Sequence, residues 1–239
     1  MNDRRIAIFV PPDEKELVET CLASLRALQV PEGYELRVVH WQEHEQRLSL
    51  EETAAQLIQG TSAKYKIFLD ARVSFTAEDV LRSLLRIFRS DPQVGAIGVC
   101  GSRCFSRREE GLHRVGGFIA LDGKGAPKEY TWPLQPGEAL YADVHHLSGM
   151  MLATQYDLPV QETGAQSWLG WNFLRSLDYA DYGYRLVVPQ QDHPWCSFAS
   201  GVPGWFDGVP RNYFDFLYQG GMVDASDMEK PMGEAAIDL

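Results

Sequence analysis

Basic residues are scarce in this chain: 22 lysines and arginines stand against 33 aspartates and glutamates, a formal net charge of −11. A phosphate backbone repels such a chain, which speaks against nucleic-acid binding, and the same balance speaks against a polybasic membrane-surface role. Long apolar runs are missing too. No stretch approaches the ~18 residues that a membrane span needs. Met1-Asn2-Asp3-Arg4-Arg5 leads into a strand-like run without the charged-then-apolar pattern of a secretory leader. Cysteine is sparse: Cys21, Cys100, Cys104 and Cys196 are scattered, and no second pair joins Cys100 and Cys104 to complete a zinc site. Reduced thiols and a cytoplasmic location are the expectation.

What is present suits one large globular domain. The 239 residues are 45% hydrophobic and 23% charged, enough for a substantial core. The first hundred alternate strand and helix signals. "RIAIFV" is a short apolar run closed by Pro11-Pro12, a buried strand entering a loop. Asp13 is placed to cap a helix reaching about Leu28, with Leu17, Cys21, Leu25 and Leu28 on one face. "YELRVVHW", then "LEETAAQLIQG" ended by Gly60, then "YKIFLD" continue the alternation. Thr76 is placed to cap the next helix, whose buried face is Leu81, Leu84, Leu85 and Phe88, and "VGAIGVCG" follows as a fourth buried strand. Successive βα units of about 25–30 residues predict an α/β fold: a mostly parallel, twisted sheet flanked by helices.

Beyond Gly101 the pattern loosens. "GGFIALDGKG" reads as part of a hairpin or flap and "LYADVHHLSGMMLAT" as a strand. "LGWNFLRSLDYADYGY" is a helix with Trp171, Leu174, Leu177 and Tyr182 in a stripe, "RLVVP" a last strand, and "PWCSFASG" a loop. Residues 1–219 form the domain, and 220–239, without periodicity, read as a mobile acidic tail.

Ligands of open α/β sheets sit beyond the carboxyl ends of the strands. Pro11, Asp13, Glu43, Asp70 and Arg72 all fall at such ends. Each has a structural role open to it as well: Asp13 as a helix cap, Glu43 as a solvated loop acid, Asp70 as a loop cap, Arg72 as an ion-pair partner. His145 and His146, adjacent in a strand, point to opposite faces and make no joint metal site. Trp168, Trp171, Trp195 and Trp205 suit core packing or an aromatic acceptor cleft. Arg103, Arg107, Arg108 and Arg114 form a basic cluster in the flap, able to receive a phosphate or an acidic protein partner.

The segments "AKYKIFLD", "DPQVGAIGVCGS", "SGMMLATQYDLP", "LGWNFLRSLDYADYGYRLVVPQQ" and "HPWC" resemble, in the same order, the glycosyltransferase-like family 2 group that includes the StrF-type domains. The resemblance covers about Arg5 to Gly201 and implies a GT-A fold (the nucleotide-diphospho-sugar transferase architecture). It also implies a nucleotide or nucleotide-sugar ligand, with Asp70 beginning a metal-binding acid cluster. In such a site a divalent cation offsets charge developing on the diphosphate leaving group, and a carboxylate base deprotonates the acceptor hydroxyl.

The chain departs from the pattern the resemblance implies at nearly every acid. Arg72 replaces the second acid of the cluster, Ser148 precedes Gly149, Leu169 precedes Gly170-Trp171, and Phe198-Ala199 stand where a His-Asp pair is expected. Bound Mn2+ or Mg2+ is therefore disfavoured, and no residue is assigned as catalytic. The resemblance places the nucleotide sugar at Pro11, Asp13, Glu43, Asp70 and Arg72, and the acceptor at Ser148, Trp171 and Trp195. Three readings stand: a transferase in which Arg72 replaces the metal and the base comes from Glu162 or Asp178; an inactive GT-A domain binding a ligand or protein; and a structural module with a vestigial cleft.

Overall fold

The apolar runs become the middle of a seven-stranded sheet. In the computed structural model residues 1–41, 48–104, 113–121, 126–138, 140–199, 201–204 and 206–210 are described. Glu43, Arg107, Arg108, Trp205 and the tail 220–239 lie outside them. The chain begins β1 (Asn2–Val10), α1 (Lys15–Arg26), β2 (Glu35–His40), α2 (Leu50–Gln59), β3 (Ala63–Leu69), β4 (Val73–Phe75), α3 (Val80–Ser90), β5 (Val94–Ile97) and β6 (Cys100–Ser102). It continues β7 (Arg114–Leu121), β8 (Lys128–Trp132), β9 (Tyr141–Val144), β10 (His146–Leu147), β11 (Met151–Thr154), α4 (Trp168–Asp181), β12 (Arg185–Pro189) and β13 (Cys196–Ala199).

The large sheet has the order β2-β1-β3-β11-β5-β12-β9. Five of its seven strands run in one direction, while β11, wedged between β3 and β5, and β9 at the edge run against them. The sheet is thus mixed in its pairings and mostly parallel in direction. A second sheet, β10-β6-β7-β13-β4 with β8 on β7, packs at its carboxyl side.

Strand alternation builds the layers. Along β1, Ile6, Ile8 and Val10 join α1 and α3 in one core, while Ala7 and Phe9 face α2 and α4 in the other. α3 buries the expected Leu81, Leu84, Leu85 and Phe88. α2 opens on a capping box in which Ser49 Oγ accepts the Glu52 amide and Glu52 returns to the Ser49 amide. α4 is buried all round from Trp168 to Tyr179, so the expected single stripe becomes a core helix, and Ala180, Asp181 and Tyr182 at its end are exposed. Among the described residues no helix is long and apolar enough to cross a membrane.

Four local expectations are corrected. Asp13 is not the cap of α1: Glu14 holds that position, and the Asp13 carboxylate accepts the Glu14 amide at 2.8 Å. Thr76 does not cap α3, because its hydroxyl donates to Pro194 O at 2.7 Å and α3 starts at Val80. "VGAIGVCG" is two strands in two sheets, β5 and β6, turning at Gly98, where an added Cβ would lie 3.0 Å from the Leu147 side chain. "PWCSFASG" is not a loop: it contains β13, which joins β7 to β4.

Candidate functional site

The carboxyl ends of β1 and β3 meet the start of α4 and the 204–208 turn. β3 ends at Leu69, and Asp70 leaves it with its amide bonded to Met150 O at 3.0 Å. Asp70 Oδ1 then accepts the Arg72 amide at 3.0 Å, a local turn that fixes the two residues relative to each other. The Arg72 side chain folds back as a fork: Nε to Asp70 Oδ1 at 2.7 Å and Nη2 to Oδ2 at 2.9 Å. Asp70 is buried and Arg72 half-buried. Strand β13 supplies the floor, since Ala199 N bonds to Arg72 O at 2.9 Å and the guanidinium lies 4.9 Å from the centre of the Phe198 ring.

The hydrogen bonds to Asp70 raise the Arg72 pKa above its ordinary value, opposed by burial and reinforced by the fields of Asp70, Asp13 and Asp207. Arg72 is the cation among three carboxylates. Asp207 had no local sequence signal except the turn it makes, in which its Oδ2 accepts the Gly204 amide at 3.0 Å. Phe198, expected to be a loop residue, is the platform beneath the guanidinium. A guanidinium has five N–H donors, and the two bonds to Asp70 leave three for another partner.

The candidate residues are not all brought together. Pro11, Asp13, Asp70 and Arg72 share the carboxyl side, with Pro11 buried and Asp13 exposed. Ser148 is close to them through Met150, but its hydroxyl accepts the Cys100 thiol at 3.1 Å. It lines a cavity of about 10 Å3 shared with Leu169, Pro203 and Gly204, which has room for no more than one water. Trp171 is fully buried against Phe68 and Trp168, and Trp195 sits in the core at 7% exposure. Neither presents a ring face to an acceptor sugar, so the expected acceptor cleft at Ser148, Trp171 and Trp195 is corrected to core packing.

Leu169 stands at the site. Its carbonyl packs on Gly149, where a Cβ would lie 1.8 Å away, and Asn172 Nδ2 bonds to Gly149 O at 2.8 Å. The start of α4 is therefore seated directly against the turn before β11. Neither of the bases suggested above is available there. Asp178 is nine residues beyond Leu169 along α4, about 13 Å at a rise of about 1.5 Å per residue, and pairs with Arg175 at 2.7 Å. Glu162 is an exposed loop acid. His146 is buried, which pushes its pKa down to about 4, and His145 is exposed, so the two do face apart.

Divalent-metal chemistry does not fit the described donor set. Both Asp70 oxygens are engaged by Arg72, and among the described residues no group of three or more His, Cys, Asp or Glu is placed to hold an ion.

The loop that delivers α4 is tied to α2 by a buried acid. Burial alone would raise the Glu51 pKa, but bonds from the Thr163 hydroxyl at 2.7 Å and the Thr163 and Gly164 amides hold it below the usual range. A depressed folded-state pKa contributes stability above the unfolded value, lost as pH falls through the folded one. Glu51→Gln is therefore expected to flatten the acid limb of a stability-versus-pH curve below about pH 4.3, read by urea denaturation at several pH values. An unchanged limb would show that the clamp does not titrate.

Comparison with known proteins follows this geometry. A mannosyltransferase from Pyrobaculum calidifontis, solved with GDP-Man and Mn2+, aligns at TM-score 0.50 and 15% identity over 92% of this chain and 61% of that one. GalNAc-T7, solved with UDP, GalNAc and Mn2+, aligns at TM-score 0.55 and 17% identity over 91% of this chain and 48% of that one. This chain thus spans about three-fifths of the first protein and about half of the second. These likenesses establish the GT-A fold. No curated protein matches the chain. The profile described as "Glycosyltransferase like family" matches residues 7–204, and the chain belongs to that glycosyltransferase-like family.

Proposed function

We propose that this chain binds a nucleotide sugar at the carboxyl ends of β1 and β3, with Arg72 taking the diphosphate in place of a divalent cation. The observation that carries the reading is the Arg72 fork, fixed by Asp70 and Phe198, with three N–H donors that no hydrogen bond engages among the described residues. A planar guanidinium can meet two oxygens of a diphosphate at once, as a metal does, without demanding further carboxylates. The StrF-type segments, and the nucleotide sugars named with the solved GT-A proteins, support the same ligand class. In transfer, the role of Arg72 is to offset the charge that grows on the leaving diphosphate.

A second reading, an inactive domain that retains the ligand, is favoured by Leu169. An aliphatic side chain stands at the start of α4, Asp178 is committed to Arg175, and an aliphatic group accepts no proton. Calorimetry with UDP and UDP-sugars, with Mn2+ or EDTA, tests the binding site. Binding that EDTA leaves unchanged supports the Arg72 reading, and a strict Mn2+ requirement overturns it. Donor hydrolysis above background overturns the inactive reading.

The acids near Arg72 give a sharper test. Asp13 and Asp207 act on the guanidinium from outside the fork and disfavour an incoming anion. Asp207 is exposed, so its effect is screened by solvent. Asp207→Asn is expected to tighten UDP binding by about two- to fivefold. Weaker binding in that variant would make Asp207 a ligand-holding group and contradict an anion at Arg72.

A further inference from the structure

We infer that the amino-terminal pole of the large sheet, opposite the cleft, is a contact surface for an anionic phospholipid layer. Four cations gather there. Arg4, near the start of β1, lies 5.4 Å from the centre of the Tyr34 ring, and Lys64, near the start of β3, lies 5.5 Å from that of Tyr65. The two tyrosines adjoin at 6.3 Å, and Tyr65 stacks on Phe88 of α3 at 5.7 Å. Arg89, one residue beyond Phe88, acts electrostatically on Tyr65 as Arg4 does, and Arg86 is one helical turn back on the same exposed side.

None of these four has an ion-pair partner among the described residues. Asp3 is the acid that acts on the same tyrosine. α3 contains three arginines and no acid, although Glu78 and Asp79 precede it and temper Arg82. On the other face of the same pole, a cavity of about 430 Å3 is lined by Arg37 and by Arg5, the latter bonded to Glu35 and Ser62. Cations thus wrap both faces of one end of a chain whose net charge is −11.

That total misleads, because a surface feels charge only within about a Debye length, roughly 8 Å at physiological ionic strength. Lys64 and Asp70 are six strand residues apart, about 20 Å at 3.3 Å per residue. The carboxylates around Arg72 are therefore screened from anything that touches the pole. The partner's chemistry follows from what else is there. The patch is open and basic, with tyrosines beneath the cations. Its exposed large apolar side chains are Val30, at 42% in the neighbouring loop, and Met1, at 69% just before β1. A stable protein interface needs a contiguous apolar centre, which two such side chains are too few to make among the described residues. A layer of anionic headgroups needs only the cations, each of which strengthens attachment about fivefold. Bound in this way, the cleft faces away from the layer.

Co-sedimentation of the full chain with phosphatidylcholine vesicles containing roughly a third phosphatidylserine tests the assignment, beside pure phosphatidylcholine vesicles and a soluble poly-glutamate competitor. Binding to the anionic vesicles alone is expected, lost between about 0.05 and 0.5 M salt. Arg86→Ser/Arg89→Ser should weaken it about 25-fold, the product of two fivefold losses. Both residues are exposed, so a native circular dichroism spectrum is expected, and Arg4→Ser/Lys64→Ser supplies a second variant should the first misfold. Arg72→Ala should bind the vesicles normally, which separates this surface from the nucleotide reading. Equal binding to neutral vesicles, no vesicle binding, binding indifferent to both double variants, or capture by poly-glutamate without vesicle binding would each overturn it.

Discussion

Arg72→Ala is expected to weaken UDP binding by roughly 10- to 150-fold, because a hydrogen bond to a charged group contributes about 1.5–3 kcal/mol. The variant removes the donors that face the cleft and also the fork that satisfies both Asp70 oxygens. The Asp70 side chain is 5% exposed, so its carboxylate is then left buried with only the Arg72 backbone amide in reach. Two consequences distinguish this from simple damage. Arg72→Lys keeps the charge but not the planar fork, so it should recover only part of the affinity. Arg72→Ala should also acquire a stimulation by Mn2+ that the parent lacks, since the freed carboxylate prefers a hard cation. Titration calorimetry of the three proteins, with EDTA and with Mn2+, reads all of this. Affinity that survives in Arg72→Ala would remove the guanidinium from the ligand's path.

The parts of the fold legible in the sequence are those in which one face, or both, is buried by a regular repeat. The apolar stretches Ile6–Val10 of β1 and Ile67–Leu69 of β3 are unbroken because each packs between two helical layers. α3 shows its stripe because the other face is solvated. The failures lie where a tertiary partner replaces a local one. Thr76 has the sequence of a cap, yet its hydroxyl finds Pro194, 118 residues away. β5 and β6 look like one strand because both are buried, and only the crowding at Gly98 and Gly101 marks the change of sheet; at Gly101 a Cβ would lie 2.6 Å from His146 O. β13 is hidden by an aromatic and small-residue composition that suits a loop equally well.

The site divides along the same line. Asp70 and Arg72 could be placed because a strand end and a two-residue offset are local properties. That they bond to each other rather than reach outward separately depends on β13, whose Phe198 supports the guanidinium from more than a hundred residues away. Asp207 arrives through a turn seated on Ser167 and Gly170, with Asp207 O accepting the Ser167 hydroxyl at 3.3 Å, and no local pattern announces that contact. Trp171 and Trp195 are ambiguous in sequence for a related reason: aromatic content late in the chain fits a sugar platform and a protein core equally, and burial decides for the core.

Arg175→Ala is expected to be the most destabilising single change, costing about 3–5 kcal/mol, the usual penalty for removing one partner of a buried ion pair. Arg175 is 2% exposed, and its guanidinium donates to Asp178 at 2.7 Å, to Pro159 O at 2.7 Å and to Leu158 O at 2.6 Å. Truncation leaves a carboxylate and two carbonyls without their donor inside the protein. Burial already lifts the Asp178 pKa above its ordinary value despite Arg175, so a lone Asp178 would take up a proton rather than remain charged. At about 2–4 °C per kcal/mol for a chain of this size, the melting temperature should fall by roughly 6–20 °C. Arg175→Met/Asp178→Leu removes both charges together and should cost less than the sum of the two single changes. Asp178→Asn keeps an acceptor for Arg175 and should cost least. It also closes the question of the proton acceptor: a folded Asp178→Asn protein that retains donor turnover makes this acid structural, whereas one that folds and loses turnover would restore Asp178 as the base and displace the role assigned to Leu169.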